Sequence, residues 1–237
     1  MKVYKTISIL LFLIVSFFYN TSSASPHEYE ATYTFHKSGI SFAESRHKMM
    51  YIEEDDHWCI STESRSIGIF SLKKDEREEN SCFKFELKNE SDTSRTNIFL
   101  TTIEYVYKRF KSGYSSVIET KKIDDNLYTY LNQKKIKHSE NILIDRLVAQ
   151  IFGYSLSKIK VSDKGRERLY TFSLIGYENL DTVIGNLKTI IIKKEIEGSK
   201  RTTITWYSSD TNFLPIKIEQ YRLDELKFTA ILERLSN

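Results

Sequence analysis

Polar and apolar residues alternate along most of this chain, and that period of two, interrupted once, restricts it to folds built from antiparallel strands. Tyr29, Ala31, Tyr33 and Phe35 fall on one face of a first strand, with Glu30, Thr32, Thr34 and His36 on the other. Lys37-Ser38-Gly39 turns the chain. A second strand spans Phe42 to Ile52 and ends at the acidic turn Glu53-Glu54-Asp55-Asp56; His57-Trp58 opens a third. Ser112-Gly113, Asp124-Asp125-Asn126, Asp163-Lys164-Gly165, Glu197-Gly198-Ser199 and Asp224-Glu225 each sit between alternating runs, as hairpin loops do. Counting runs predicts roughly a dozen strands. The 15 Tyr and 14 Phe suit such a fold, because aromatic rings pack well on a pleated surface.

The interruption is Asn141 to Leu156, NILIDRLVAQIFGYSL. Leu143, Ile144, Leu147, Val148, Ile151 and Phe152 recur at three- and four-residue spacing, which predicts an amphipathic helix capped by Asn141, with Asp145 near its positive end. Some strands are apolar on both faces: Leu187 and Ile191 alternate with Ile190 and Ile192, and Leu226, Phe228, Ala230 and Leu232 oppose Ile231. A sheet open to water on one side is polar there, so both faces need cover. The expected class is therefore mainly β (a β-rich α+β chain): one curved antiparallel sheet or half-barrel with a single amphipathic helix packed on it. Such a curl encloses a ligand cavity or is filled by its own side chains, and pattern alone does not separate the two.

Residues 1–24 read as a secretory signal. Lys2 and Lys5 precede the apolar run from Ile7 to Phe18, and Ser22-Ser23-Ala24 supplies small residues before a cleavage expected ahead of Ser25. The run is too short for a spanning helix, and no later segment is long and apolar enough to be one. The leader carries two lysines and no acid, so its removal takes the formal charge from +3 to +1. That leaves no cationic excess of the kind nucleic acid requires. Lys121-Lys122, Lys134-Lys135 and Lys193-Lys194 read as solvated strand faces. With no shift of composition to mark a boundary, residues 25–237 are expected to form a single β-rich domain, and the leader sets the expected location as the periplasm of a Gram-negative cell.

Cys59 and Cys82 are the only cysteines. In an oxidising compartment a structural disulfide is favoured over two free thiols. Catalytic motifs are absent: the chain has no G-x-S-x-G, P-loop, H-E-x-x-H or dinucleotide fingerprint. His47 with Asp55, Asp56 and His57 offers metal ligands if two strands form a hairpin, but acids and a histidine at a turn are more often simply solvated. Glu178 and Asp181 read as a loop rim rather than an acid–base pair. No catalytic residue, cofactor or metal is assigned.

The best-patterned stretch joins Gly176, Glu178, Leu180, Thr182, Gly185 and Thr189 to Thr205-Trp206, Asp210, Leu214-Pro215-Ile216, Ile218 and Gln220. Physically this is strand, turn, strand and hairpin. Gly185 suits a turn, and Pro215, lacking an N–H, suits the start of a strand. This pattern resembles a proteobacterial periplasmic domain-of-unknown-function family, the one numbered thirty-one hundred and eight. The resemblance extends through Asp145-Arg146-Leu147 and Tyr29-Glu30-Ala31 with Gly39. It marks Glu178, Thr182, Gly185, Trp206, Asp210, Leu214 and Pro215 as structural motif residues and implies a curved sheet with a helix on one side, similar to periplasmic lipoprotein carriers. The family carries no activity to transfer. The function expected is a non-enzymatic binding protein for an apolar or lipid-like envelope ligand. The alternatives are a structural or interaction module of the cell envelope, with a protein partner, and a hydrolase with an unrecognised site.

Overall fold

A computed structural model describes residues 25–72, 74–89, 96–124, 126–136 and 142–236. The expected signal segment lies outside the described residues, as do Asp125 and the expected N-cap Asn141. Within them the chain folds as two meanders. The first is β1 (Tyr29–Lys37), β2 (Ile40–Ile52), β3 (His57–Ser66), β4 (Asp75–Asn89), β5 (Thr96–Lys111), β6 (Tyr114–Ile123), β7 (Asn126–Leu131) and β8 (Lys134–Ile136). The second is β9 (Ile144–Asp145), β10 (Lys158–Asp163), β11 (Arg166–Thr182), β12 (Gly185–Ile196), β13 (Arg201–Ser208), β14 (Leu214–Arg222) and β15 (Glu225–Ser236). Antiparallel pairing of β1 with β15 joins them into one sheet of fifteen described strands, ordered β8 to β1 and then β15 to β9. Among the described strands only β9 with β10 is parallel.

The turns follow the expected chemistry. Ser38-Gly39, Ser112-Gly113 and Lys164-Gly165 all take positive φ, and Asp56 closes the acidic turn in a left-handed conformation. The first strand also faces as expected, with Tyr29, Ala31 and Tyr33 buried.

This sheet is rolled. Its β9 end returns to the inner face of β4 and β5, where Thr102 N–H donates to Leu143 O at 2.8 Å. Asp145 is fully buried there. It accepts from Ser81 Oγ (2.6 Å) and Thr102 Oγ1 (2.7 Å). The helix α1 (Arg146–Ile151) follows and sits inside the curl. Leu147, Val148, Ala149, Ile151 and the succeeding Phe152 join Tyr33, Ile60, Phe83 and Tyr105 in the core. The expected roof over the sheet is thus present.

The helix is shorter than its pattern predicts. Residues 144–145 form a strand, Gly153–Ser155 a 3-10 turn, and Leu143 is half exposed rather than part of the buried stripe. Asp145 is the cap in place of Asn141: its Oδ1 accepts from Leu147 N (2.7 Å) and Val148 N (3.2 Å). Six residues do not sustain a helix alone. This one is held by its cap and its buried side chains. It ends where Tyr207 and Phe172 press on Gly153; a Cβ there would lie 2.7 Å from the Tyr207 hydroxyl oxygen and 2.8 Å from the Phe172 ring.

Cys59 and Cys82 face each other on β3 and β4 and are disulfide-bonded. Lys121, Lys122, Lys134 and Lys135 are exposed as expected. Lys194 departs from that expectation: it shares its face with Ile190 and Ile192, and its ammonium lies inside the curl over the Tyr170 ring. Pattern placed both lysines of the pair outside, whereas a strand sends neighbours to opposite faces. Lys193 faces the other way and pairs with Glu195.

Candidate functional site: the interior of the rolled sheet

The curl has two unlike ends. At one, which we term the mouth, lie the β1–β2, β5–β6 and β14–β15 turns and the segment Gly68–Leu72. The strand registers require this: His36 sits opposite Thr229, and Asp75 opposite Lys111. The other end is closed by packing. Phe152 meets Phe83 edge-on at 5.4 Å, and Tyr154 stacks on Phe213 at 4.5 Å. The space left between Tyr29, Met49, Ile151 and Leu214 is about 20 Å³, room for about one water.

Toward the mouth the interior is polar. On β4 the residues Phe83, Ser81, Glu79, Arg77 and Asp75 share the inner face, since they alternate. Ser81 is fully buried, the Glu79 side chain is 12% exposed and Arg77 46%. Exposure therefore rises along this face toward the mouth.

Each arginine of this region has a carboxylate. Arg146 Nη1 donates to Glu79 Oε1 at 2.6 Å, and its Nε lies 3.5 Å from Asp163 Oδ1. Tyr105 OH donates to the other Glu79 oxygen at 3.0 Å. Asp75 accepts forked pairs from Arg109 (3.0 and 2.8 Å) and Arg77 (3.2 and 3.0 Å). The Arg109 bond, against the opposing effect of burial and with help from Arg77, holds the Asp75 carboxyl well below the usual range.

Two lysines of the same region have no carboxylate partner among the described residues. Lys164, at the β10–β11 turn, sets its Nζ 3.5 Å from the centre of the Tyr107 ring on β5. Lys194 sets its Nζ 5.0 Å from the Tyr170 ring centre. Burial first, and Arg146 second, push Lys164 down to about 7 and Lys194 to about 8. Cation–π contact offsets part of the lost hydration. His47 on β2 is buried against Tyr33 (4.5 Å between rings); its Nε2 meets Ser45 Oγ at 3.1 Å, and its Nδ1 has no partner among the described residues.

The rim carries exposed apolar side chains. Ile40, Leu72 and Leu223 are each more than half exposed, and Phe42 meets Phe70 and Phe228. A cleft of about 510 Å³ beside Leu72, Phe110 and Tyr114 is also lined by Lys74, Glu76 and Lys111, and lies on the outer face, where Phe110 stands opposite Glu76. The interior can therefore hold an anionic group while the rim holds something greasy.

The motif residues lie elsewhere and act on the fold. Trp206 Nε1 donates to Glu178 Oε2 at 2.6 Å, joining β13 to β11 across β12. Thr182 Oγ1 donates to Gly185 O and accepts from Ile184 N, fixing the β11–β12 turn, where Gly185 has φ +121°. Asp210 accepts from Lys188 N (3.2 Å). Leu214 is buried, and Pro215 O accepts from Tyr33 OH at 2.8 Å. Glu178 and Asp181 have separate partners, Trp206 and Asn186. His47 is on the inner face, while Asp55 and Asp56 sit at an exposed turn, so the four candidate metal ligands do not converge. A cluster of His57 with Cys59 and Cys82 exists, but both its sulfurs are spent in the disulfide.

Sequence reading placed Lys164 only in a turn. No local signal announces its reach across the curl to β5. Lys194 was findable, because it continues the even register of Ile190 and Ile192.

No family model and no curated protein matches the chain. Among solved structures it is similar to a β-barrel-like protein of the domain of unknown function DUF1849 from Brucella abortus, with TM-score 0.52 and 11% identity over 88% of this chain and 97% of that one. It also aligns with a protein from Bacteroides fragilis described as exported with a YmcC-like fold (TM-score 0.35, 12% identity, 90% and 97% covered). A protein from Parabacteroides distasonis described as a lipoprotein aligns similarly (TM-score 0.35, 12% identity, 89% and 96% covered). The chain accordingly has a β-barrel-like fold built from one large curved sheet, the architecture it shares with the DUF1849 protein.

Proposed function

We propose that this is an exported, non-enzymatic binding protein of the bacterial envelope that takes an amphiphilic, lipid-like ligand at the mouth of its rolled sheet. Its membership of the periplasmic family suggested by the Gly176–Gln220 pattern belongs to the same proposal. Export rests on the leader at residues 1–24 and agrees with a paired disulfide. One observation carries the binding reading: the helix fills the apolar half of the interior, while the half nearest the mouth is charged, increasingly exposed and bordered by exposed apolar side chains. A wholly apolar ligand has no vacant apolar space to enter there. An amphiphile matches both surfaces.

An interaction module working through a free sheet edge is the second reading. The β8 edge spans only three residues, and the β9 edge is covered by β5, which favours the interior over edge pairing. Native mass spectrometry of the protein released from the periplasm without detergent tests the proposal. A co-purifying amphiphile in one-to-one ratio is the expected result. Protein that is empty, and that also fails to bind dodecyl phosphate or dodecyl maltoside on titration, would overturn it.

A further inference from the structure

We propose that Lys164 and Lys194 form the seat for a phosphate monoester, the head group of the ligand that the rolled sheet takes at its mouth. This rests on the binding reading above and adds to it a charge class and two residues.

The argument is one of unmatched charge. Arg77, Arg109 and Arg146 are each bonded to Asp75, Glu79 or Asp163. Among the described residues the two lysine ammonium groups lie over tyrosine rings and contact no carboxylate. Tyr107, under Lys164, stands opposite Glu79 on the β4–β5 ladder; Glu79 is bonded to Arg146, which also contacts Asp163, the neighbour of Lys164, and the same three charged groups act on Lys194 above Tyr170. Lys164 also feels Arg77 from β4. Glu79 and Asp163 counter the lysines in part, but both acids are already bonded to Arg146, so the lysines are left in cationic excess, and an interior with such an excess is set up to receive an anion. A dianionic phosphate matches two lysines, whereas a single carboxylate leaves one uncompensated. Depressed lysine basicity agrees with an empty seat, since a bound anion restores it.

The test is titration calorimetry of the mature protein with dodecyl phosphate, dodecyl maltoside and inorganic phosphate. Wild type is expected to bind dodecyl phosphate at least tenfold more tightly than dodecyl maltoside. In Lys164→Gln/Lys194→Gln that preference should vanish, and in Lys164→Arg/Lys194→Arg it should persist. Neutralising two partly buried lysines that have no carboxylate partner among the described residues relieves the fold rather than harming it, so the Gln variant is expected to remain folded, which its Trp fluorescence reports. Wild type without preference for phosphate, or a Gln variant that keeps it, overturns the seat while leaving amphiphile binding intact. Binding of neither detergent overturns the functional reading itself. Inorganic phosphate competing at equal concentration would support the seat and overturn its assignment to a lipid head group.

Discussion

Thr102 and Asp145 hold each other twice: the Thr102 hydroxyl donates to Asp145 Oδ2 at 2.7 Å and accepts from the Asp145 N–H at 2.9 Å. A threonine hydroxyl has one donor and spare lone pairs, so a single side chain meets both demands. This reciprocal bond fastens the last strand of one meander to the inner face of the other. It rolls the sheet and seats the helix.

Asp145→Ala should therefore destabilise by about 3 kcal/mol, because it orphans the Ser81 and Thr102 hydroxyls and two helix N–H groups at once. Asp145→Asn should cost about 1 kcal/mol: its oxygen still caps the helix, and the two hydroxyls can turn to accept from its amide. Thr102→Val should fall between them, about 2 kcal/mol. Chemical denaturation with a common slope measures all three. Equal losses for Ala and Asn would refute the capping role.

Gly153→Ala tests the closed end. The new methyl would stand inside contact distance of the Tyr207 hydroxyl and the Phe172 ring, and Tyr207 is itself fixed to Gln150 O at 2.6 Å. Overpacking of this kind costs about 1–3 kcal/mol. A substitution without effect on the melting temperature would show that the helix end has slack.

The strands were legible because alternation and turn residues are local signals. Tyr29, Ala31 and Tyr33 announce their face, and Ser38-Gly39 its turn. The helix was half legible. Its apolar spacing spans residues 143–152, but what trims it is tertiary: Asp145 is captured by Ser81 and Thr102, and Gly153 by Tyr207 and Phe172. The charged interior was not read at all. Glu79, Arg146, Lys164 and Lys194 come from four distant segments, and only the rolling of the sheet brings them together.

The Cys59–Cys82 bond closes a loop of about 24 residues, for which the chain-entropy account gives about 3 kcal/mol. In a domain of this size that corresponds to roughly 6–12 °C in Tm. Cys59→Ser/Cys82→Ser, or reduction of the native protein, should lower Tm by that amount without changing the far-ultraviolet dichroism, since the register of β3 and β4 is also fixed by the seven-pair ladder between them and by their pairing with β2 and β5. Loss of the strand signal on reduction would make the bond a condition of folding rather than a reinforcement.

His47 gives the fold an acid limit. Burial pulls its pKa from 6.5 to about 4, with Glu79 acting in the other direction. Above pH 6.5 the ring is neutral in both folded and unfolded chains and contributes no pH dependence. Between pH 6.5 and 4 the unfolded chain takes up a proton that the folded chain refuses, so stability falls as pH falls; below 4 both are protonated and the loss is complete. The full difference is about 3 kcal/mol. Asp145, whose carboxyl is raised by burial, acts with the opposite sign in acid, so the comparison must be between His47→Leu and wild type across the same pH series. The variant should lack the decline between pH 6.5 and 4. Parallel curves for the two proteins would mean that the imidazole is not held neutral inside the sheet.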